Sequence, residues 1–151
     1  MEFSSYITGF TDGEGTFQVS FNRRDKLRTR VEVRPGFSIS QHKRNRAILE
    51  RIQQYFGCGG IRFSARDQNY KYEVRSLSDL KTVIIPHFRK FPLQTSKQKD
   101  FQLFEEIVKD VSRNHHLNAT FLQIIIEKAY RMNPSGKRRY TQEELLKLMT
   151  R

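Results

Sequence analysis

Apolar positions recur at helical spacing at the start of the chain, where Tyr6, Ile7 and Phe10 predict a helix over about Phe3–Asp12. After Gly15 the period changes to two. Phe17, Val19 and Phe21 alternate with Thr16, Gln18, Ser20 and Asn22, and the basic loop Asn22–Lys26 follows. From Leu27 to Ser40, Val31, Val33, Phe37 and Ile39 share one strand face, opposite Arg28, Arg30, Glu32, Arg34, Ser38 and Ser40. Pro35-Gly36 should bend or bulge this strand. A helix over Lys43–Phe56 turns Ile48, Leu49, Ile52 and Phe56 inward and stops at Gly57.

Two more strands follow. Gly60–Arg66 puts Ile61, Phe63 and Ala65 inward and Arg62, Ser64 and Arg66 outward. Tyr70–Ser76 puts Tyr70, Tyr72 and Val74 inward and Lys71, Glu73 and Arg75 outward, and Asp67-Gln68-Asn69 makes the hairpin turn. The remainder reads as helices over Leu77–Phe88, Lys97–Ser112 and Ala119–Met132, with a break at Phe91-Pro92 and a turn at Pro134-Ser135-Gly136. Thr141-Gln142-Glu143-Glu144 is a capping box that opens a short last helix.

The order α-ββ-α-ββ-α with extra helices predicts an α+β fold with a four-stranded antiparallel sheet. Its 151 residues suit one domain, with a core over about 1–112 and a helical extension over about 113–151. One sheet face is apolar; the other is rich in Arg, Lys, Ser and Gln. A two-stranded ribbon fits the major groove of B-DNA, where Arg reads guanine and Gln reads adenine. The deep, narrow major groove of RNA would not admit it. Duplex DNA is therefore the expected partner.

Charge sharpens this picture. The net charge is +12, and residues 15–99 hold 19 Lys and Arg against 6 Asp and Glu, so the whole excess lies in one stretch. That is how the footprint for a polyanion is distributed. No apolar run could span a bilayer, and no membrane association is expected. The start, MEFSSYITGF, has no signal or transit pattern. The single Cys58 excludes an internal disulfide, points to a reducing compartment, and forms no metal pattern with His42, His87, His115 or His116.

Residues 7–15, ITGFTDGEG, place Asp12 and Glu14 where a helix should end. Helix C-termini carry partial negative charge and disfavour acids. Mg²⁺ is held by one or two carboxylates and phosphate oxygens, which suits Glu14 beside glycines. Gly9 and Gly13 clear a stripe along the helix for close approach of a second one. If that helix belongs to a second copy, two Glu14 carboxylates meet and repel unless cations lie between them. By itself the segment also fits a plain turn.

This stretch resembles the motif of the LAGLIDADG homing endonucleases, with Thr8, Phe10, Thr11, Gly13 and Glu14 as its variations. The resemblance covers residues 1 to about 112 and implies that family's αββαββα domain. One motif implies a homodimer joined through Tyr6, Gly9, Phe10 and Gly13. It also implies Glu14 as metal ligand and catalytic residue, with the Gly13 carbonyl as a second ligand, Mg²⁺ as cofactor and Mn²⁺ as a substitute. Asp12 is expected to be structural. Gln41 and Lys97 match the family's water-ordering and charge-stabilising positions, and Asn45 stands where a basic residue is common.

The DNA contacts expected on the sheet are Arg28, Arg30, Arg34, Ser38, Ser40, Arg62, Arg66, Lys71 and Arg75, with Lys137, Arg138 and Arg139 as a separate phosphate clamp. The expected activity is a site-specific, staggered double-strand cut in a long, pseudo-palindromic DNA target, leaving 3′ overhangs, with a role in intron homing. The alternatives are an intron RNA maturase, with intron RNA as partner, and a catalytically silent DNA-binding protein. The expected location is an organelle if intron-encoded there, otherwise prokaryotic cytoplasm.

Overall fold

The computed structural model describes residues 2–133 and 136–150. Four strands, β1 (Gly15–Arg23), β2 (Val31–His42), β3 (Gly60–Ser64) and β4 (Asn69–Val74), form one sheet in the order β1-β2-β4-β3. β4 runs antiparallel to both neighbours: Ser40 of β2 faces Lys71, and Arg62 of β3 faces Lys71 from the other side. The helices are α1 (Phe3–Glu14), α2 (Arg46–Phe56), α3 (Leu77–Asp79), α4 (Ile85–Lys90), α5 (Lys97–Ser112), α6 (Ala119–Tyr130) and α7 (Gln142–Met149). The α+β architecture is the expected one.

The chain forms two compact units, residues up to Phe17 with Gly36–Gln98, and Gln18–Pro35 with Lys99 onward. In the first unit, Ile7, Phe17, Phe37, Ile39, Leu49, Ile52, Tyr72 and Phe88 are at most 1% exposed. The Phe37 ring lies 5.2 Å from Phe17 and 5.5 Å from Phe88. Each such side chain contributes about 1.5–3 kcal/mol by leaving water. The second unit buries Val19, Phe21, Val31 and Val33 of the strands, and Phe104, Ile107, Leu122, Ile125 and Leu145 of α5, α6 and α7. The second unit takes in α5 from Lys99 onward together with α6 and α7.

Several elements depart from the sequence pattern. α1 continues to Glu14, so both acids lie inside its last turn. β2 begins only at Val31; Arg28 and Arg30 lie in the preceding turn, where Arg30 takes φ 63° and its carbonyl accepts from the Arg24 amide at 2.9 Å. β2 then runs unbroken through Pro35-Gly36. Ser38, expected on an open face, is only 5% exposed.

β3 is an edge strand, so its inward face has a neighbour on one side only. Ile61 is therefore half-buried and Phe63 is 45% exposed with its ring against Tyr70 at 4.9 Å, while Ala65 lies beyond the strand in the turn and is exposed. The hairpin turn occupies residues 65–68, and Asn69 already belongs to β4. A π-helical stretch, Leu80–Ile84, interrupts the helix expected over Leu77–Phe88. It precedes Pro86, whose ring crowds the carbonyl four residues back and which has no N–H to donate. α6 ends at Tyr130, two residues early. Of the expected turn at 134–136, Pro134 and Ser135 lie outside the described residues. The reciprocal capping box of Thr141 and Glu144 is present.

Candidate active site and nucleic-acid surfaces

The end of α1 is assembled from three directions. The C-terminal carbonyls of a helix lack intrahelical donors and carry partial negative charge. Lys97, in the first turn of α5, donates its ammonium to the carbonyls of Thr11 at 2.9 Å, Asp12 at 3.2 Å and Gly15 at 2.5 Å. A cation at a helix N-terminus is unfavourable alone; here it meets the negative end of another helix.

The two acids separate in role. Asp12 accepts from the amides of Gln94 at 2.8 Å and Thr95 at 3.2 Å, and from the Thr95 hydroxyl at 2.7 Å. Partial burial raises its carboxyl pKa, but these donors and Lys97 outweigh that and hold it below the ordinary value. Asp12 thus ties α1 to the loop before α5, the structural role expected of it. Glu14 is exposed and, among the described residues, has no hydrogen bond or ion pair. Gly9 and Gly13 are exposed too, and a Cβ placed on either would meet nothing within 4 Å. Gly15 is the opposite case: a Cβ there would fall 2.6 Å from Thr11 Cγ2 and 3.1 Å from the Thr11 backbone, so a side chain at the turn from α1 into β1 would force Thr11 to shift.

Beneath α1 lies a polar chain that no motif announced. The Thr8 hydroxyl donates to the Phe91 carbonyl at 2.9 Å, so its oxygen must accept from Nε2 of His87, 3.1 Å away. The imidazole then carries its proton on Nε2, and Nδ1 accepts from the Tyr55 hydroxyl at 3.0 Å. Rings of Phe56, Phe88 and Phe91 surround His87 at 4.7–5.3 Å. Burial pushes its pKa down to about 4, so it is neutral at physiological pH. Nothing in the spacing of His87 along the chain distinguishes it from the other histidines.

Gln41 is the penultimate residue of β2, with its amide donating to the Ser40 carbonyl at 2.9 Å and its oxygen accepting from Asn45 at 3.2 Å. The position expected to be basic is therefore a neutral partner of Gln41. Among metal-ligating types, no group of three or more His, Cys, Asp or Glu gathers among the described residues. The oxygen donors available at the α1 end, a carboxylate and main-chain carbonyls, fit a hard divalent cation that completes its shell elsewhere.

The polar sheet face is organised by one acid in each unit. In the first, Glu73 is paired with Arg62 at 2.8 Å and Arg75 at 3.0 Å. Lys71 and Ser40 are half-buried on the same face, and Arg66 is 94% exposed at the hairpin. In the second unit, Glu32 is paired with Arg24 at 2.8 Å and Arg34 at 3.7 Å. Of the expected phosphate clamp, Arg139 reaches Asn22 at 3.2 Å and Lys137 is exposed. Arg138 is turned inward: it donates to the carbonyls of Ala129 at 2.7 Å and Met132 at 2.5 Å and lies over the Tyr130 ring, closing the end of α6. The pairings of Glu32 with Arg24, of Glu73 with Arg62, and of His87 with Thr8 join positions that the sequence pattern did not connect.

Residues 7–108 match the model of the LAGLIDADG endonuclease family. Probable intron-encoded endonuclease 2 of Neurospora crassa is 33% identical over 130 residues, which cover 85% of this chain but only 29% of that longer protein. The crystal structure of the homing endonuclease I-TnaI is 35% identical, with a TM-score of 0.84, over 97% of this chain and 95% of that one. I-SmaMI, bound to uncleaved DNA target in the presence of calcium ions, is 28% identical with a TM-score of 0.84, over 90% of this chain and 46% of that one. With the motif at the end of α1, the αββαββα order and these matches in agreement, the chain belongs to the LAGLIDADG endonuclease family.

Proposed function

We propose that this chain is a site-specific DNA endonuclease that works as a homodimer and depends on a divalent cation, Mg²⁺ or Mn²⁺. The observation that carries the reading is the exposed, unpartnered Glu14 carboxylate at the end of a helix whose Gly9/Gly13 side is open. A carboxylate is kept there while Lys97 and the Asp12 contacts hold the surrounding backbone. Two copies meeting along α1 would bring their Glu14 side chains together, with the Gly13 carbonyls beside them. A divalent cation bound there supplies stabilisation of charge on the attacking and leaving oxygens of an in-line displacement. Lys97 keeps the helix end from adding its own negative charge, and Gln41 takes the role of ordering solvent near the phosphate. Arg34, Arg62, Arg66, Lys71 and Arg75 carry the duplex, with Arg28, Arg30, Ser40, Lys137 and Arg139 as further contacts. Arg138 and Ser38 are left out of that set because they are already enclosed. The intron-encoded Neurospora relative supports an intron-encoded origin and a role in intron homing.

The test is cleavage of plasmids carrying candidate target sites with Mg²⁺, and binding of the same DNA with Ca²⁺. Wild-type protein should cut both strands, leaving 3′ overhangs. Glu14→Gln should abolish cutting while binding persists, because the change removes a charge that repels phosphate. A Glu14→Gln protein that cuts at the wild-type rate would end this reading. Binding without cutting by wild type would favour a silent DNA-binding protein, and promotion of intron splicing would favour a maturase.

A further inference from the structure

Glu73 stands opposite Ser38 and Gly60 on the polar face of the sheet, with its side chain only 12% exposed. A carboxylate on a surface meant for phosphate repels it, so its presence calls for a compensating function. Its two oxygens are divided between two arginines: Oε1 is 2.8 Å from Nε of Arg62, and Oε2 is 3.2 Å from Nε and 3.0 Å from Nη2 of Arg75.

The geometry of the two contacts differs. Arg62 meets Glu73 through Nε, at the base of the guanidinium, and its side chain is 64% exposed. Its terminal nitrogens, Nη1 and Nη2, make no hydrogen bond among the described residues. That free pair is the fork that matches O6 and N7 of guanine. Arg75 meets Glu73 side-on through both Nε and Nη2, which leaves Nη1 as its outward donor, suited to a single phosphate oxygen.

We propose that Glu73 is a positioning residue for sequence recognition, holding Arg62 end-on to read guanine and turning Arg75 to a phosphate. The proposal rests on the reading of this chain as a DNA endonuclease. An isolated surface ion pair contributes little to stability; the consequence of this one lies in orientation, since an arginine held at Nε can swing neither its fork nor its stem freely. The pairing of Glu32 with Arg24 and Arg34 repeats the device in the second unit.

The experiment is selection from a randomised duplex library bound in Ca²⁺, followed by salt titration on the selected site. Arg62→Ala should relax a guanine preference at one position of each half-site, by roughly ten- to hundredfold. Arg62→Lys should do the same while leaving the salt dependence unchanged. Arg75→Ala should weaken all sequences alike and lower the salt slope by about one per subunit. Glu73→Gln should relax the same position as Arg62→Ala without weakening binding to non-specific DNA, and the Glu73→Gln, Arg62→Ala pair should relax it no further. Glu73→Asp, which keeps the charge, should restore part of the preference. Glu73→Gln retaining the full preference that Arg62→Ala loses would overturn the proposal alone, as would Arg62→Ala weakening every sequence equally. A wild-type protein with no sequence preference would overturn the endonuclease reading with it.

Discussion

The ammonium of Lys97 lies 2.5 Å from the carbonyl oxygen of Gly15, and through it the first turn of α5 is fastened to the turn that carries Glu14. Two further donations, to Thr11 and Asp12, use the rest of its hydrogens. Charge-assisted bonds of this kind contribute about 1.5–3 kcal/mol each at most, less where water competes. Lys97→Met should therefore lower stability by about 2 kcal/mol in urea titration as well as slow cleavage. A Lys97→Met protein with wild-type stability and weakened DNA binding would mean that Lys97 serves phosphate alone.

Asp12 and Glu14 should respond differently to loss of charge. Asp12→Asn keeps one acceptor oxygen, so either the Gln94 amide bonded to Oδ2 or the two Thr95 donors bonded to Oδ1 lose their partner, at a cost of about 1–3 kcal/mol. Because the folded Asp12 carboxyl lies below its unfolded value, its contribution is full above about pH 4 and is lost as pH falls through the folded pKa. The variant should flatten acid denaturation below pH 4. Glu14→Gln should leave stability at neutral pH unmoved, since its exposed side chain has no bonding partner to lose among the described residues.

His87 sets a different window. Its pKa falls from an ordinary 6.5 to about 4 in the folded protein, so the unfolded chain binds more protons between those values. Stability is then full above pH 6.5 and is lost as pH falls toward 4, by at most about 3 kcal/mol. His87→Gln, which cannot be protonated, should be less stable at pH 7.5 but should show no decline between pH 6.5 and pH 4.5 from this source. A wild-type unfolding midpoint that stays level across that interval would show that His87 does not titrate with unfolding.

Gly9 and Gly15 separate assembly from folding. A Cβ at Gly9 meets nothing, so Gly9→Leu should fold as a subunit and fail only in pairing, seen as a monomer by sedimentation. Gly15→Ala drives a Cβ to 2.6 Å from Thr11 Cγ2 and 3.1 Å from its backbone, and should lower the melting temperature of the subunit itself. An intact, active Gly9→Leu dimer would remove α1 as the pairing surface.

The sequence alone determined what depends on local periodicity and local chemistry. Period two marked all four strands, period 3.6 marked α1, α2, α5 and α6, and the capping box marked α7. The acids of ITGFTDGEG and the basic strand faces were legible for the same reason: their chemistry is written in neighbouring residues. Tertiary structure decided what depends on residues far apart in the chain. Phe63 points to the expected face yet is exposed, because only strand order makes β3 an edge. Arg138 looked like one more surface cation until α6 ended beside it and offered bare carbonyls. Lys97 reaches α1 from more than eighty residues away, His87 meets Thr8 across 79, and Glu73 meets Arg62 only through the pairing of β3 with β4. Burial, edge position and the partner of a charge are properties of the packed chain, since each is set by which distant segments exclude water from a given atom.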